Sequence, residues 1–299
     1  MFKIKNISLF FIAISYFFIC TDILSRHEER IKEIQELGVR VIFIRHGYSC
    51  ANIVKDSGYI REIFTSYPDP ELSQIGLNLS KENGKKLKNE IGKRGIEVDF
   101  IASSSLIRAI ETAYYIFGRE QPIYTLPYVA EKGKTVDNMA LDLNQQRKII
   151  SEKNALSCLS DADCPIKFMF SDKSAGRSES NYKEFINWFS NNLDTILAQS
   201  QKWEPTNGAL FTIAIITHSN FLGRELGLSH PANNAAFENM LKFKRQGNNG
   251  WKFVEAEKTK FMPINYDLTP APDRENLKKA LENLGEDRCR IDVTKGSPK

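Results

Sequence analysis

A short apolar run, Val41 to Ile44, ends on Arg45-His46-Gly47. Its β-branched residues and its length read as a buried strand. The pattern recurs over Val98 to Ala102, Pro122 to Val129 and Phe211 to Thr217, the last being the most hydrophobic strand of the chain. Between these runs lie stretches of helical spacing. Residues 73–93 carry Ser73 as a candidate N-cap and Leu77, Leu87 and Ile91 on one side. Residues 105–117 end at Gly118, and residues 181–200 place Phe185, Trp188, Phe189, Leu193 and Ile196 on one face. A further helix is expected over 220–227, and strands 236–245 and 251–256 read as a hairpin around Gly247 to Gly250. The polar segment with Tyr67-Pro68-Asp69-Pro70 is loop, and residues 137–180 are polar and irregular. Strands alternating with helices predict an α/β fold with a mostly parallel sheet.

A chain of 299 residues with 41% hydrophobic and 26% charged residues can bury a sizeable core in one large domain or two small ones. The net charge of +4 is too mild to argue for a nucleic-acid partner, and the basic residues are scattered along helical stretches. Of the five cysteines, none forms a CxxC pair or a Cys/His cluster with zinc spacing. Cys158 and Cys164 are either a disulfide, if the compartment is oxidising, or two free thiols; Cys50 reads as a small packed side chain. Lys3 and Lys5 precede an apolar stretch over residues 7–20, shorter than the ~20 residues of a membrane-spanning helix and close to the core of a signal peptide. Residues 1–25 are therefore expected to be a signal peptide or a membrane anchor. A charged helical lead-in follows, with a helical pattern over 21–37 that ends near Gly38. The expected location is the secretory pathway, with the cytoplasm as the alternative.

In parallel α/β sheets, ligands sit at the carboxyl ends of the strands. Those ends carry Arg45-His46-Gly47, Ser103-Ser104-Ser105, Glu131, and Thr217-His218-Ser219-Asn220, with Arg108 one turn into a helix. Two of the four histidines in the chain are among them, while His27 and His230 read as surface residues. Phosphoryl transfer needs positive charge at the phosphate oxygens, a nucleophile in line, and a proton donor for the leaving oxygen. Arginine suits the oxygens because its fork donates two parallel bonds. Neutral histidine is a good nucleophile near neutral pH. Three cationic groups, Arg45, Arg108 and His218, could offset a phosphate dianion, with the acid on a separate strand. No carboxylate cluster is available to hold a metal, so neither a metal nor a cofactor is expected.

The chain resembles the histidine phosphatase superfamily, also called phosphoglycerate mutase-like. Arg45-His46-Gly47-x-Ser49-x-x-Asn52, Asp69-x-x-Leu72-Ser73-x-x-Gly76 and Ser103-Ser104-x-Leu106-x-Arg108-Ala109-x-x-Thr112-Ala113 carry the likeness, with Glu131, His218 and Pro231 to Phe237 in order behind them. It spans about residues 40–256. The resemblance implies a three-layer α/β/α domain over about 39–260, with a cap insert at about 137–200 that sets substrate choice, and a tail at 261–299 with a short helix at 273–284. It further implies that His46 is the nucleophile, that Arg45, Asn52, Arg108 and His218 bind the phosphoryl group, and that Glu131 protonates the leaving group. Asn220 and Lys132 are weaker candidates for substrate contact, and Lys134 could meet a second anionic group.

Two departures separate the chain from the mutases of that superfamily. Glu131 is followed by Lys132-Gly133-Lys134 and no Tyr-Gly, and Ala51 stands where a tryptophan precedes Asn52. The expectation is a metal-independent, branch 1 type phosphatase acting on a phosphorylated small molecule or phosphoprotein. The alternatives are a phosphoglycerate mutase-type phosphotransferase and a non-catalytic scaffold of the same fold. Residues 7–20 add the expectation of membrane association.

Overall fold

The computed structural model describes residues 25–56, 68–119, 121–131, 135–152, 165–167, 181–200, 203–205, 210–229, 231–247, 250–263 and 289. The apolar segment 7–20, the tail helix expected at 273–284, Lys132, Lys134, Cys158, Cys164 and His230 lie outside them.

The described strands are β1 (Glu36–Arg45), β2 (Phe100–Ser104), β3 (Ile123–Leu126), β4 (Ile166–Lys167), β5 (Leu210–Thr217), β6 (Ala236–Arg245), β7 (Trp251–Ala256) and β8 (Lys260–Phe261). The helices are α1 (25–33), α2 (Cys50–Asp56), α3 (Gln74–Lys93), α4 (Ile107–Phe117), α5 (Leu143–Glu152) and α6 (Tyr182–Gln199). One sheet runs in the order β4-β3-β2-β5-β1-β6-β7, with β8 paired to β6. The pairs from β4 through to β1 are all parallel; β6 runs antiparallel to β1, and β7 and β8 run antiparallel to β6.

The apolar run in β1 is continuous because both faces of the sheet are covered. Val39, Val41 and Phe43 point to one face and pack with Phe185, Phe189, Leu193, Ile196 and Leu197 of α6. Ile42 and Ile44 point to the other face, toward Leu87 and Ile91 of α3 and Ala109, Ala113 and Ile116 of α4. The result is a three-layer α/β/α arrangement with a mostly parallel sheet. Ser73 caps α3 as expected, its side chain accepting from the Gly76 N–H.

Several boundaries differ from the expectations. The lead-in helix stops at residue 33, and β1 already begins at Glu36, because antiparallel pairs with β6 start at Glu36↔Lys244, two residues before the eight parallel pairs with β5 from Gly38↔Leu210 to Arg45↔Thr217. The second strand sits two residues later than expected, so Ser103 and Ser104 belong to it, and the third ends at Leu126. The helix expected at 220–227 is a single π-wound turn, Phe221–Glu225. The irregular insert holds a 3-10 turn, Val136–Asn138, together with α5 and β4. His27 is half-buried rather than on the surface.

Cys50 is not a free packed thiol. It is disulfide-bonded to Cys289 across a sequence separation of 239 residues, and the pair is buried with Tyr48 and Ile53. One residue of the C-terminal tail is thereby fixed beside the segment that follows Arg45-His46-Gly47.

Candidate active site

The strand order sets which residues meet. β1 lies beside β5, β5 beside β2, and β2 beside β3, all running the same way. Their carboxyl ends therefore bring Arg45 and His46, His218, Ser104 and the approach to Glu131 to one edge. The His46 N–H donates to the Thr217 carbonyl (2.9 Å), which continues the β1–β5 ladder past the end of the strand.

The backbone of the His46 loop is held from the far layer. The Gly47 N–H donates to Thr112 Oγ1 (2.9 Å), and that hydroxyl donates to the Arg108 carbonyl (2.6 Å). Ser73 donates to the Tyr48 carbonyl through both its N–H (3.1 Å) and its hydroxyl (2.9 Å). α3 thus starts against the loop, and Gly76 lies so close that a Cβ there would overlap the Tyr48 backbone carbonyl. Neither partner is a flexible side-chain end. Gly76→Ala is expected to destabilise the fold by about 3 kcal/mol or more, as severe overpacking does. Urea unfolding measures it, and a change below about 1 kcal/mol would contradict this packing.

Ser49 and Asn52 form a reciprocal N-terminal box on α2. The Asn52 N–H donates to Ser49 Oγ (3.3 Å), while Asn52 Oδ1 accepts from the Ser49 N–H and hydroxyl (both 3.0 Å). Asn52 is half-buried there.

His46 is 3% exposed, and its Nδ1 lies 2.6 Å from the Gly47 carbonyl. A carbonyl can only accept, so Nδ1 carries the proton and Nε2 carries the lone pair. The His218 ring stands 4.9 Å away, centroid to centroid, at 54°. His218 Nε2 lies 2.7 Å from Ser104 Oγ; its Nδ1 has no hydrogen-bond partner among the described residues and is 3.9 Å from Glu131 Oε2. Burial first, then the neighbouring Arg108 guanidinium, holds both imidazoles well below the usual histidine range. Both rings are therefore neutral at neutral pH. This changes the expected charge count: two guanidiniums, not three cations, carry the positive charge of the site.

Arg45 donates to the Pro231 carbonyl (2.6 Å), and its Nε is buried without a partner among the described residues. Arg108, 3% exposed, donates to the Asp137 carbonyl and to Asn138 Oδ1, both at 2.9 Å. Asn138 in turn donates to Thr135 Oγ1 (2.8 Å). Burial pushes the Glu131 carboxyl up, against the pull of Arg108 and of the Asn220 N–H, which donates to Glu131 Oε1 (3.0 Å). A buried acid of raised pKa is suited to proton donation near neutral pH. Asn220 thus reaches the site through its backbone, and Lys132 lies outside the described residues.

One atom each from His46, Glu131 and His218 lies within 4.8 Å of the others, a spacing that could hold a metal ion. The guanidiniums of Arg45 and Arg108 act electrostatically on these groups. Two fixed positive charges oppose a cation and favour an anion, so the donor set is better matched to a phosphate.

Reading the sequence alone missed Asp137 and Asn138, which lie in a stretch without period, and left Asp69 without a role. Asp69 is buried at φ 50° and accepts from the Ile107 N–H (2.7 Å), the Leu141 N–H (3.1 Å) and Gln146 Nε2 (2.5 Å). It ties the start of α4, just before Arg108, to the insert. Its burial raises it to about 6.

No family model matches the chain. It is 34% identical over 85 residues to a 2,3-bisphosphoglycerate-dependent phosphoglycerate mutase from Staphylococcus saprophyticus, covering 28% of this chain and 32% of that enzyme. The chain thus spans about a third of the length of the curated relatives it matches. Among solved structures, the ecdysone phosphate phosphatase of Bombyx mori covers 72% of this chain and 92% of its own at 12% identity and a TM-score of 0.39. A phosphoglycerate mutase from Bacillus anthracis covers 74% and 93% at 13% identity and a TM-score of 0.37.

Proposed function

We propose that this chain is a member of the histidine phosphatase superfamily and a metal-independent, branch 1 type phosphomonoesterase that works through a phosphohistidine on His46. The observation that carries the reading is the hydrogen bond from His46 Nδ1 to the Gly47 carbonyl, which leaves a neutral Nε2 lone pair on a ring under the influence of the Arg45 and Arg108 guanidiniums. A phosphomonoester places its phosphorus in line with Nε2. Arg45 and Arg108 take the equatorial oxygens, and their charge grows in value as the transferring group loosens. The Ser104 hydroxyl can donate to His218 Nε2, which leaves the proton on Nδ1 as a further donor. Asn52, with its Oδ1 engaged by Ser49, contributes through its amide NH2. The P–N bond forms at His46, the P–O ester bond breaks, and Glu131 protonates the leaving oxygen. Glu131, now a carboxylate, takes a proton from the water that hydrolyses the phosphohistidine.

The curated relatives are mutases, and a mutase-type phosphotransferase is the second reading. A mutase must keep its histidine charged from a bisphosphorylated primer, whereas a phosphatase needs none. The sequence Lys132-Gly133-Lys134 after Glu131, with no Tyr-Gly, and Ala51 before Asn52 favour the phosphatase. The full-length protein is expected to hydrolyse an aryl phosphate through many turnovers with no primer present. Activity that appears only after a bisphosphorylated sugar acid is added would reverse the choice.

The expected secretory location stands as part of the same proposal. The Cys50–Cys289 disulfide supports it, because such bridges persist in oxidising compartments.

A further inference from the structure

A single turn grips Arg45 from three sides. The Arg45 N–H donates to the Ala235 carbonyl (3.0 Å), and the Arg45 carbonyl accepts from the Asn234 N–H (3.1 Å). Its guanidinium donates through Nη1 to the Pro231 carbonyl (2.6 Å). Residues 231–235 thus hold both the main chain and the side chain of Arg45, while its Nε stays buried without a partner among the described residues. A guanidinium carries its donors in one rigid plane, so fixing one of them on a carbonyl sets the direction of the rest.

The bend of that turn has a special conformation. The Ala235 N–H donates to the Ala232 carbonyl (3.1 Å), which closes a β-turn with Asn234 as its third residue. Asn234 has φ 62°, the left-handed region that the third position of a type II turn requires and that glycine ordinarily fills. Asparagine is one of the few other residues that tolerate it. Asparagine also brings an anchor that glycine lacks. Buried Asn234 accepts through Oδ1 from the hydroxyl of buried Ser80 on α3 (3.0 Å). A Cβ on Gly47 would collide with that same hydroxyl, so the Ser80–Asn234 bond passes against the Arg45-His46-Gly47 loop. We infer that Asn234 is a positioning residue for Arg45: its left-handed backbone and its bond to Ser80 set the turn, and the turn aims the guanidinium. Asn234 itself touches no substrate. The inference rests on the proposed role of Arg45 in binding the phosphoryl group.

Two substitutions in the full-length protein separate the contributions. Asn234→Gly keeps the left-handed backbone and loses the anchor, whereas Asn234→Ala loses the anchor and strains the backbone. For an aryl phosphate, kcat/KM is expected to fall about threefold with glycine and at least about 30-fold with alanine, since misplacing a binding group by about 1 Å costs up to about 10²-fold. NMR of protein carrying isotope-labelled arginine reads the position of the guanidinium without turnover. Arg45→Lys and Arg108→Lys assign the two buried Nε–H signals. In Asn234→Ala the Arg45 signal should shift and exchange faster with solvent, while the Arg108 signal keeps its parent position. General loosening of the pocket would move both. If Asn234→Ala fails to fold, Ser80→Ala cuts only the anchor and should show the same selective change at Arg45, with a loss of about threefold in kcat/KM. Equal changes at both guanidiniums would overturn the inference. So would an Arg45 signal that stays in place, or an alanine variant as active as the parent. Failure of the parent protein to hydrolyse any phosphomonoester would overturn the phosphatase reading instead, and the NMR comparison would still decide whether Asn234 positions Arg45.

Discussion

His46→Ala is expected to remove phosphomonoesterase activity by at least about four orders of magnitude, with the fold intact. The size of the loss follows from the absence of a substitute. His218, the nearest imidazole, has its Nε2 against Ser104 Oγ and its Nδ1 toward Glu131, so neither nitrogen can take over the role of His46 Nε2. Water would have to attack the phosphorus directly. The measurement has two parts. Turnover of an aryl phosphate gives the rate, and brief exposure to a substrate carrying radioactive phosphate gives the intermediate. The parent protein should take up label that is lost in acid and kept in alkali, as a phosphoramidate is. His46→Ala should take up none. An alanine variant that retains acid-labile label would move the nucleophile elsewhere and sink the mechanism.

The same neutrality of His46 sets the acid side of the pH profile. The group must be unprotonated to attack. Burial and Arg108 hold its pKa well below the ordinary histidine range, so the neutral form persists to lower pH than a solvated imidazole would allow. On the proposed mechanism, activity is therefore expected to persist below the ordinary histidine range and to be lost only where His46 protonates, which a pH profile of kcat/KM checks.

What could be read from the sequence, and what could not, divides along a physical line. The fold was legible because a sheet buried on both faces writes itself as continuous apolar runs, and β1 and β5 do so. The strand ends at Arg45 and Thr217 were legible for the same reason: an apolar run stops where the pocket begins. Ser73 as a cap was legible because capping chemistry is local. The Ser49 and Asn52 box was visible only as a spacing. Seven residues from Cys50 with β-branched Ile53 and Val54 make a weak helix by propensity. The box and the disulfide to Cys289 hold it by contacts that no local pattern carries. Asp137 and Asn138 were missed on the same ground. Their roles come from an Arg108 that is 30 residues away from Asn138, in a turn with no period to mark it. Histidine charge was misread for a related reason: protonation depends on burial and on two guanidiniums, Arg45 at the end of β1 and Arg108 on α4.

Glu131→Gln should separate substrates by their leaving groups, which His46→Ala cannot do. An alkyl phosphate departs as an alkoxide unless its oxygen is protonated, whereas a nitrophenyl phosphate departs as a stable phenolate without help. Loss of the acid is expected to lower kcat/KM for alkyl phosphates by about 10²–10⁴-fold and to leave that for the nitrophenyl ester within a few-fold. The comparison uses kcat/KM because it reports transfer to His46, not the later hydrolysis in which the Glu131 carboxylate serves as base. Slow hydrolysis in the variant should then appear separately, as a burst of nitrophenol equal to the enzyme. pH gives an independent reading. Glu131 must be protonated to act, and burial raises its pKa above the ordinary carboxylate range. The alkyl reaction therefore falls as pH rises through that raised value. The nitrophenyl reaction should lack this limb, and Glu131→Gln should lack it with either substrate. Equal losses on both esters would show that Glu131 does not donate to the leaving oxygen, and would leave it as the acceptor that holds the Asn220 N–H beside His218.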